Sequence, residues 1–224
     1  MTAPHLPLLT LLETRVLGVL NEKQHTVPDT YPLSLNALVA GCSQKTSRHP
    51  VIDVTEAEVL TAIDALRGPA LVIESSGGRV TRYAHNMEKA LRLPSQSVAL
   101  LTALMLRGPQ TSAELRTHCE RMHRFADVSA VEGFLQELAE RADGALVVKL
   151  PRQPGSRENR WAHLLSGEPV VEAAPAAASS SASEATAVGG DVDRLTAEVA
   201  RLQTEVDALK ERVAALCEKL GVTE

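Results

Sequence analysis

The amino-acid sequence predicts a mainly α-helical protein with β-hairpins, an α+β fold in which one small unit occurs twice and a helical tail follows. Two echoes along the chain predict the duplication. Residues 82–85, Arg-Tyr-Ala-His, return as Arg-Trp-Ala-His at 160–163, an offset of 78 residues. A second echo pairs residues 34–38, followed four residues later by Cys42, with residues 111–115, followed four residues later by Cys119, at an offset of 77. Two matches in nearly one register indicate two copies of one fold. A heptad pattern near the C-terminus predicts the tail.

The first copy has the pattern of three helices followed by a β-hairpin. Apolar residues recur at helical spacing through its helices, and Thr55 with Glu58 forms a capping box at the start of the last helix. β-Branched residues on both sides of a glycine turn predict the hairpin. The predicted helices cover residues 8–22, 34–42 and 55–67, and the predicted strands cover 71–73 and 80–83. This order of elements is the winged-helix plan.

The second copy repeats this order with a longer hairpin tip. Thr111 with Glu114 and Ser129 with Glu132 again form the pattern of a capping box. The predicted helices cover residues 97–106, 111–122 and 129–141, and the predicted strands cover 145–150 and 159–164. We therefore expect two tandem winged-helix domains, the first over residues 8–90 and the second over 91–166.

The C-terminal part of the chain differs in composition and pattern. Residues 167–190 are rich in Ala, Ser and Pro, which bury too little apolar surface to offset ordering, and predict a disordered linker. Over residues 191–221 apolar side chains alternate spacings of three and four, with Val at a and Leu at d, which favours a parallel coiled coil and hence a homodimer. A trimer and a single amphipathic helix docked on its own domain are the alternatives. The dimerisation residues are Val192, Leu195, Val199, Leu202, Val206, Leu209, Val213, Leu216 and Leu220.

Composition restricts the classes of function. Aromatic residues make up 2% of the chain, which argues against nucleic-acid binding by base stacking. The three cysteines, Cys42, Cys119 and Cys217, are widely spaced, which disfavours disulfides and structural zinc and indicates a reducing compartment. No basic region precedes the first apolar stretch, so we expect neither a signal peptide nor a membrane span, and we predict a cytoplasmic protein.

Charge is distributed unevenly along the chain. Residues 1–165 carry 18 Lys and Arg against 17 Asp and Glu, whereas residues 166–224 carry 5 against 11. The third helices of both predicted domains are acidic and lack the row of basic or amide side chains that reads bases in the major groove. Basic residues lie instead on the hairpins and on the loop after the second helix. The candidate contacts to nucleic acid are Lys45, Arg48, Arg79, Arg82, Arg152, Arg157 and Arg160.

The sequence contains no motif that predicts catalysis. GxSxG, P-loop, dinucleotide and HExxH patterns do not occur, so we predict no enzyme, no catalytic residue and no cofactor. His118, Cys119 and His123 have a spacing that could bind a metal. Because Cys119 is the echo of Cys42, a buried core role is the better interpretation, and we predict no metal site. Tyr83 and Trp161 are expected to anchor the two hairpins in the core.

Longer stretches of the sequence resemble the YceH-type family of uncharacterised bacterial proteins. The resemblance covers about residues 8–168 and implies two winged-helix domains, with no settled biochemical activity. His49 stands where the family usually has an acidic residue. The stretches that carry the resemblance are residues 13–20, Glu22-Lys23, and residues 26–38, 42–51, 107–111 and 161–164.

These observations favour a non-enzymatic, homodimeric regulator that contacts double-stranded DNA through its wings. The alternative is an interaction scaffold that presents the acidic third helices to another protein. A small-molecule sensor with a pocket between the two domains is a third interpretation. Duplex affinity that falls steeply with salt would distinguish the first from the second.

Overall fold

The computed structural model describes residues 7–75, 80–153 and 156–169. These residues form seven α-helices, a short 3-10 helix at Pro28–Thr30 and five β-strands. The predicted coiled coil, the predicted linker beyond residue 169 and Arg79 lie outside the described residues. The helices are α1 Leu11–Thr26, α2 Leu35–Cys42, α3 Glu56–Arg67, α4 Met87–Leu91, α5 Ser95–Arg107, α6 Ser112–Cys119 and α7 Val128–Ala139. The strands are β1 Leu33–Ser34, β2 Val72–Ser75, β3 Arg82–His85, β4 Val147–Lys149 and β5 Trp161–His163.

Local capping interactions determine where the helices of the first half begin. Thr10 caps α1 through a capping box with Glu13, in which each side chain accepts a hydrogen bond from the other residue's backbone N–H, at 2.9 and 3.2 Å. This cap places the start of α1 three residues later than the apolar spacing predicted. The capping box of Thr55 and Glu58 is confirmed at the start of α3, as is the end of that helix before Gly68.

The first half closes with a three-stranded antiparallel sheet in the order β1-β3-β2. Strands β2 and β3 confirm the predicted hairpin, whose tip lies among the undescribed residues. The short strand β1, which directly precedes α2, pairs with the other edge of β3, where Leu33 lies opposite Tyr83. The sheet is thereby joined to the helices at both edges.

The second half repeats this arrangement. Helices α5, α6 and α7 are followed by the antiparallel pair β4-β5, and an isolated bridge between Gln110 and Trp161 takes the place of β1. One expectation is wrong in detail, because α7 begins after Asp127, whose carboxylate accepts from the N–H of Ala130 at 2.8 Å. Glu132 instead accepts a hydrogen bond from the Ser112 hydroxyl at 3.2 Å, so it makes no capping box with Ser129.

The duplication extends to individual side-chain interactions. The Arg82 guanidinium donates to the carbonyl oxygen of Pro32 at 2.8 Å, and the Arg160 guanidinium donates to that of Pro109 at 3.0 Å. The aromatic residues that follow these arginines, Tyr83 and Trp161, are both buried. Equivalent residues therefore make equivalent contacts, and the expected anchoring of both hairpins in the core is confirmed.

Helices α1 and α5 form the most extensive helix-helix contact in the described residues and join the two halves into one apolar core. The backbone of Gly18 lies so close to α5 that a Cβ atom at this position would be 2.7 Å from Leu106 Cδ2. One polar contact is buried in the same interface, where Asn21 Nδ2 donates to the Thr102 hydroxyl at 2.7 Å. Because an amide and a hydroxyl must meet here, this hydrogen bond restricts the register of the two helices.

Candidate functional site

The second hairpin carries an exposed basic surface. Arg152 and Arg157 are exposed on its tip, and the Lys149 ammonium lies 5.6 Å from the centroid of the Trp161 ring. Glu158 is an exposed carboxylate at the same tip. Three cations against one carboxylate leave this hairpin positively charged, although the described part of the chain as a whole is nearly neutral.

Arg48 does not belong to any exposed basic surface. Its side chain is 0% exposed, and its guanidinium donates to both carboxylate oxygens of Glu22, at 2.6 and 3.1 Å. It also donates to the backbone oxygens of Gly41 and Ser47. The Arg48 guanidinium is thus buried and bound to groups of the protein itself. The expectation that Arg48 contacts phosphate is therefore wrong.

The remaining basic candidates are placed differently from one another. Lys45 is exposed on the turn after α2. Arg82 is exposed but bound to the carbonyl oxygens of Thr30 and Pro32 at the base of the first hairpin. Arg160 is half-buried at the base of the second. Of the sequence-predicted cations that the structure describes, Lys45, Arg152 and Arg157 are therefore the most accessible.

The third helices, α3 and α7, present acidic faces to solvent, as the sequence predicts. On α3 the carboxylates are accompanied by Arg67, which pairs with Asp64 at 3.5 Å and with Glu74 at 3.1 Å. A cation already paired with two carboxylates adds little positive potential. The exposed acids are Glu56, Glu58 and Asp64 on α3, Glu132 and Glu137 on α7, and Glu140 directly after α7.

An open cleft of about 790 Å³ lies where the first half meets the base of the second hairpin. Two hydrogen bonds hold its wall together: Arg107 Nη2 donates to the Ser47 hydroxyl at 2.8 Å, and the N–H of His49 donates to the carbonyl of Leu106 at 2.8 Å. Gly108, with φ +76°, ends α5 at this wall. The polar residues around the cleft are Ser47, Arg48, His49, Arg107, Gln110, Glu114, His118, Gln153 and Arg160, of which Arg48 has a fully buried side chain.

A short chain of hydrogen bonds orients His118 in this cleft. The Gln110 amide nitrogen donates to the carbonyls of Ala103 and Gly108, at 3.0 and 3.2 Å. Its amide oxygen therefore faces Nδ1 of His118, with which it makes a short hydrogen bond. Burial lowers the pKa of His118 below its ordinary value, and the nearby charge of Arg107 lowers it further. The lowered pKa favours the neutral imidazole, and in that state the hydrogen bond to the Gln110 oxygen requires the proton on Nδ1.

Comparison with known proteins identifies the family. Residues 9–156 match the family described as "Protein of unknown function, DUF480". The chain belongs to the DUF480 family.

Several bacterial UPF0502 proteins are similar to this DUF480 chain over most of their length. One from Dechloromonas aromatica is 67% identical over 175 residues, which cover 78% of this chain and 82% of the relative. One from Cupriavidus necator is 60% identical over 195 residues, 87% of this chain and 80% of the relative. One from Methylibium petroleiphilum is 61% identical over 193 residues, 86% and 81% of the two chains.

The cysteines of this DUF480 protein that the structure describes are core residues. Cys42 and Cys119 are completely buried, and burial raises the pKa of both thiols to about 12. His123 packs edge-on against Phe125, with ring centroids 4.7 Å apart. Within residues 7–75, 80–153 and 156–169, His, Cys, Asp and Glu side chains form no group of three that could hold a metal ion. The helices described are all too short or too polar to cross a membrane.

No pattern in the sequence indicated Arg107, and the spacing of His118 suggested only a possible metal ligand. Arg107 ends a helix and has no echo in the first half, while its partner Ser47 lies 60 residues earlier. Gln110, which orients His118, stands in the short Arg-Gly-Pro-Gln segment between α5 and α6. The glycine of this segment ends α5, and this end of the helix brings these side chains into one cleft.

Proposed function

We propose that this DUF480 protein is a non-enzymatic, homodimeric DNA-associated regulator of the YceH type with two winged-helix domains. The exposed basic surface of the second hairpin carries the proposal, with Lys149, Arg152 and Arg157 as its phosphate contacts. When cations on a hairpin contact DNA phosphates, the counterions condensed on the DNA are released. This release supplies most of the affinity that does not depend on the DNA sequence.

The arrangement of strands supports the winged-helix interpretation. In each half a strand segment just before the second helix pairs with the last hairpin strand, at Leu33 with Tyr83 and at Gln110 with Trp161. In each half the hairpin therefore follows a three-helix unit and is paired back to the segment before the second helix, as the winged-helix interpretation requires. The acidic faces of α3 and α7 oppose groove insertion, because their carboxylates would approach phosphates, so the second wing is the preferred contact.

Dimerisation through the heptads at residues 192–220 would present two second wings in one complex. Each wing offers few phosphate contacts, and linking two weak contacts raises the overall affinity through effective concentration. We therefore expect the full chain to bind duplex DNA more tightly than a chain that ends at residue 169.

Duplex binding at two salt concentrations tests the proposal. Fluorescence anisotropy with a 30-base-pair duplex should show an affinity that falls steeply between about 50 and 200 mM salt. The double variant Arg152→Gln/Arg157→Gln should bind more weakly and reduce the slope of log K against log salt by roughly 2 per protomer, at about 0.9 per lost phosphate contact. The matched control is Lys89→Gln/Arg92→Gln, which removes two exposed charges on and beside α4. Absence of duplex affinity at 50 mM salt, or equal behaviour of the two double variants, would refute the proposal.

An interaction scaffold is the second candidate, and the composition of α3 favours it. Leu60 is 39% exposed on the same helix as the exposed acids Glu56 and Asp64. An apolar side chain flanked by carboxylates suits a partner protein with an apolar contact and basic surroundings. Leu60→Glu should then abolish recovery of a specific partner from bacterial lysate, while Val51→Glu, at another exposed apolar position, should not. Identical recovery by both variants would exclude this surface.

A further inference from the structure

We propose that the cleft beside the second hairpin binds a small molecule through an oxyanion group, phosphate or carboxylate, held by Arg107, His118 and Arg160. The site is separate from the wing tip and does not depend on DNA binding. Its ligand would contact the Ser47 to His49 loop of the first half and the hairpin base of the second half at once.

Arg107 has unused hydrogen-bonding capacity in this cleft. A guanidinium carries five N–H donors, and among the described residues the side chain of Arg107 donates one hydrogen bond, to the Ser47 hydroxyl. The half-buried position lowers the pKa of Arg107 through loss of solvation, which shows that the cation is partly removed from water. An oxyanion bound in the cleft would replace the solvation that the Arg107 guanidinium loses through burial. The two parallel N–H groups of a guanidinium pair well with phosphate and carboxylate.

His118 supplies the second polar group. Because the Gln110 amide is held by two carbonyls, its oxygen must accept from Nδ1–H of His118, and Nε2 is left free to act on a ligand. The neutral imidazole can accept a hydrogen bond at Nε2 from the hydroxyl of a protonated phosphate, and below its pKa the protonated ring can donate a hydrogen bond to a carboxylate or phosphate oxygen. Either state matches an oxyanion group.

Arg160 and Glu114 determine the charge of the site. Arg160 is held by the Pro109 carbonyl and lies 3.7 Å from Glu114, a loose pair in which both side chains are 42% exposed. One oxygen of Glu114 is occupied by the N–H of Thr111 at 2.8 Å. Glu114 is the one carboxylate among the described residues that line the cleft. Since Arg48 is neutralised by Glu22, Arg107 and Arg160 leave a net positive charge.

The shape of the cleft favours a small molecule. Its volume of about 790 Å³ lies within the range of roughly 300 to 1,000 Å³ that is common for small-molecule sites. Its walls come from a loop, a helix end and a hairpin base that are far apart in the chain. A ligand bound there would hold the loop and the hairpin in one arrangement.

The test is an NMR titration of the His118 imidazole in the full chain, with its signals assigned by their loss in His118→Gln. Inorganic phosphate and sodium acetate are the probes, and the one that binds more tightly identifies the group. We expect a saturable shift that Arg160→Gln weakens at least tenfold. Lys89→Gln, which removes one exposed positive charge on α4 outside the cleft, should leave the dissociation constant within twofold.

A second variant tests the charge argument in the opposite direction. Glu114→Gln keeps a capping box with Thr111 and removes the carboxylate from the cleft, so it should tighten phosphate binding several-fold even if Arg160→Gln does not fold. The proposal is overturned if neither anion shifts His118 saturably, or if Glu114→Gln leaves binding unchanged. It is also overturned if duplex DNA shifts His118 while both small anions do not, because the cleft would then belong to a DNA surface.

Discussion

Replacement of Arg48 with alanine should destabilise the protein by about 3 to 5 kcal/mol, the usual cost of removing one partner from a buried ion pair. The Arg48 side chain is fully buried, and it meets Glu22 through two hydrogen bonds of 2.6 and 3.1 Å. Without the guanidinium, the Glu22 carboxylate, which is 18% exposed, keeps Lys23 at 3.2 Å as its cationic neighbour. The donors that reach Gly41 and Ser47 are lost as well.

Urea unfolding at pH 7 measures this effect, with Lys45→Ala as the matched control. Lys45 lies three residues earlier on the same turn and is exposed, so its removal should change the free energy of unfolding by no more than about 0.5 kcal/mol. The double variant Arg48→Ala/Glu22→Gln should lose less than the sum of its two single changes, because the first change already breaks the pair. An Arg48→Ala protein as stable as the Lys45→Ala protein would refute the assignment of Arg48 to the fold.

The same pair has a pH signature. Burial by itself raises the pKa of Glu22, but the hydrogen bonds and charge of Arg48, together with Lys23, outweigh it and bring the pKa below its ordinary value of 4.5. A carboxyl whose pKa is lowered in the folded state stabilises fully above its unfolded pKa and loses this effect as pH falls through the folded pKa. The stability difference between wild type and Arg48→Ala should therefore shrink below pH 4.5.

Three further predictions concern packing and protonation. Gly18→Ala should lower the melting temperature, because the new Cβ would lie 2.7 Å from Leu106 and overpacking costs about 1 to 3 kcal/mol. An unchanged melting temperature would contradict the close approach of α1 and α5. Gly133→Ala should stabilise α7 by about 0.5 to 1 kcal/mol in urea unfolding, since a Cβ there meets nothing within 4 Å; destabilisation would contradict this. Burial lowers the pKa of His85 and His163 from 6.5 to about 4, so both stay neutral in the folded state while the unfolded chain binds protons. Stability should thus fall as the pH is lowered from 6.5 to 4, by less than about 1.4 kcal/mol per pKa unit because both side chains are partly exposed. His85→Gln/His163→Gln should flatten that fall in unfolding curves measured across this range.

The order of elements followed from local and periodic features of the sequence. Capping residues such as Thr55 and Thr111 compete for backbone N–H groups within three residues, so their helices begin where the pattern predicts. The recurrence of Arg-Tyr-Ala-His as Arg-Trp-Ala-His predicted the position of the last strand in both hairpins. The sequence repeats there because each copy buries an aromatic residue in the same surroundings. Where two capping residues stood close together, as Asp127 and Ser129 do, the sequence could not distinguish them.

Long-range contacts account for what the sequence could not reveal about the site. In the sequence, Lys45 and Arg48 are two basic residues of the same loop, and nothing local distinguishes them. Arg48 is buried because it pairs with Glu22, which lies 26 residues earlier on α1. The cleft depends on Ser47 meeting Arg107, which requires α1 to pack on α5, and on Glu114 meeting Arg160, which requires the second hairpin to fold back beside α6. The sequence by itself determined the duplicated order of helices and hairpins, since those signals act within one turn or one repeat. The tertiary structure decided which cations are free and which are used inside the fold, because the energy of a charge depends on the groups that surround it in space.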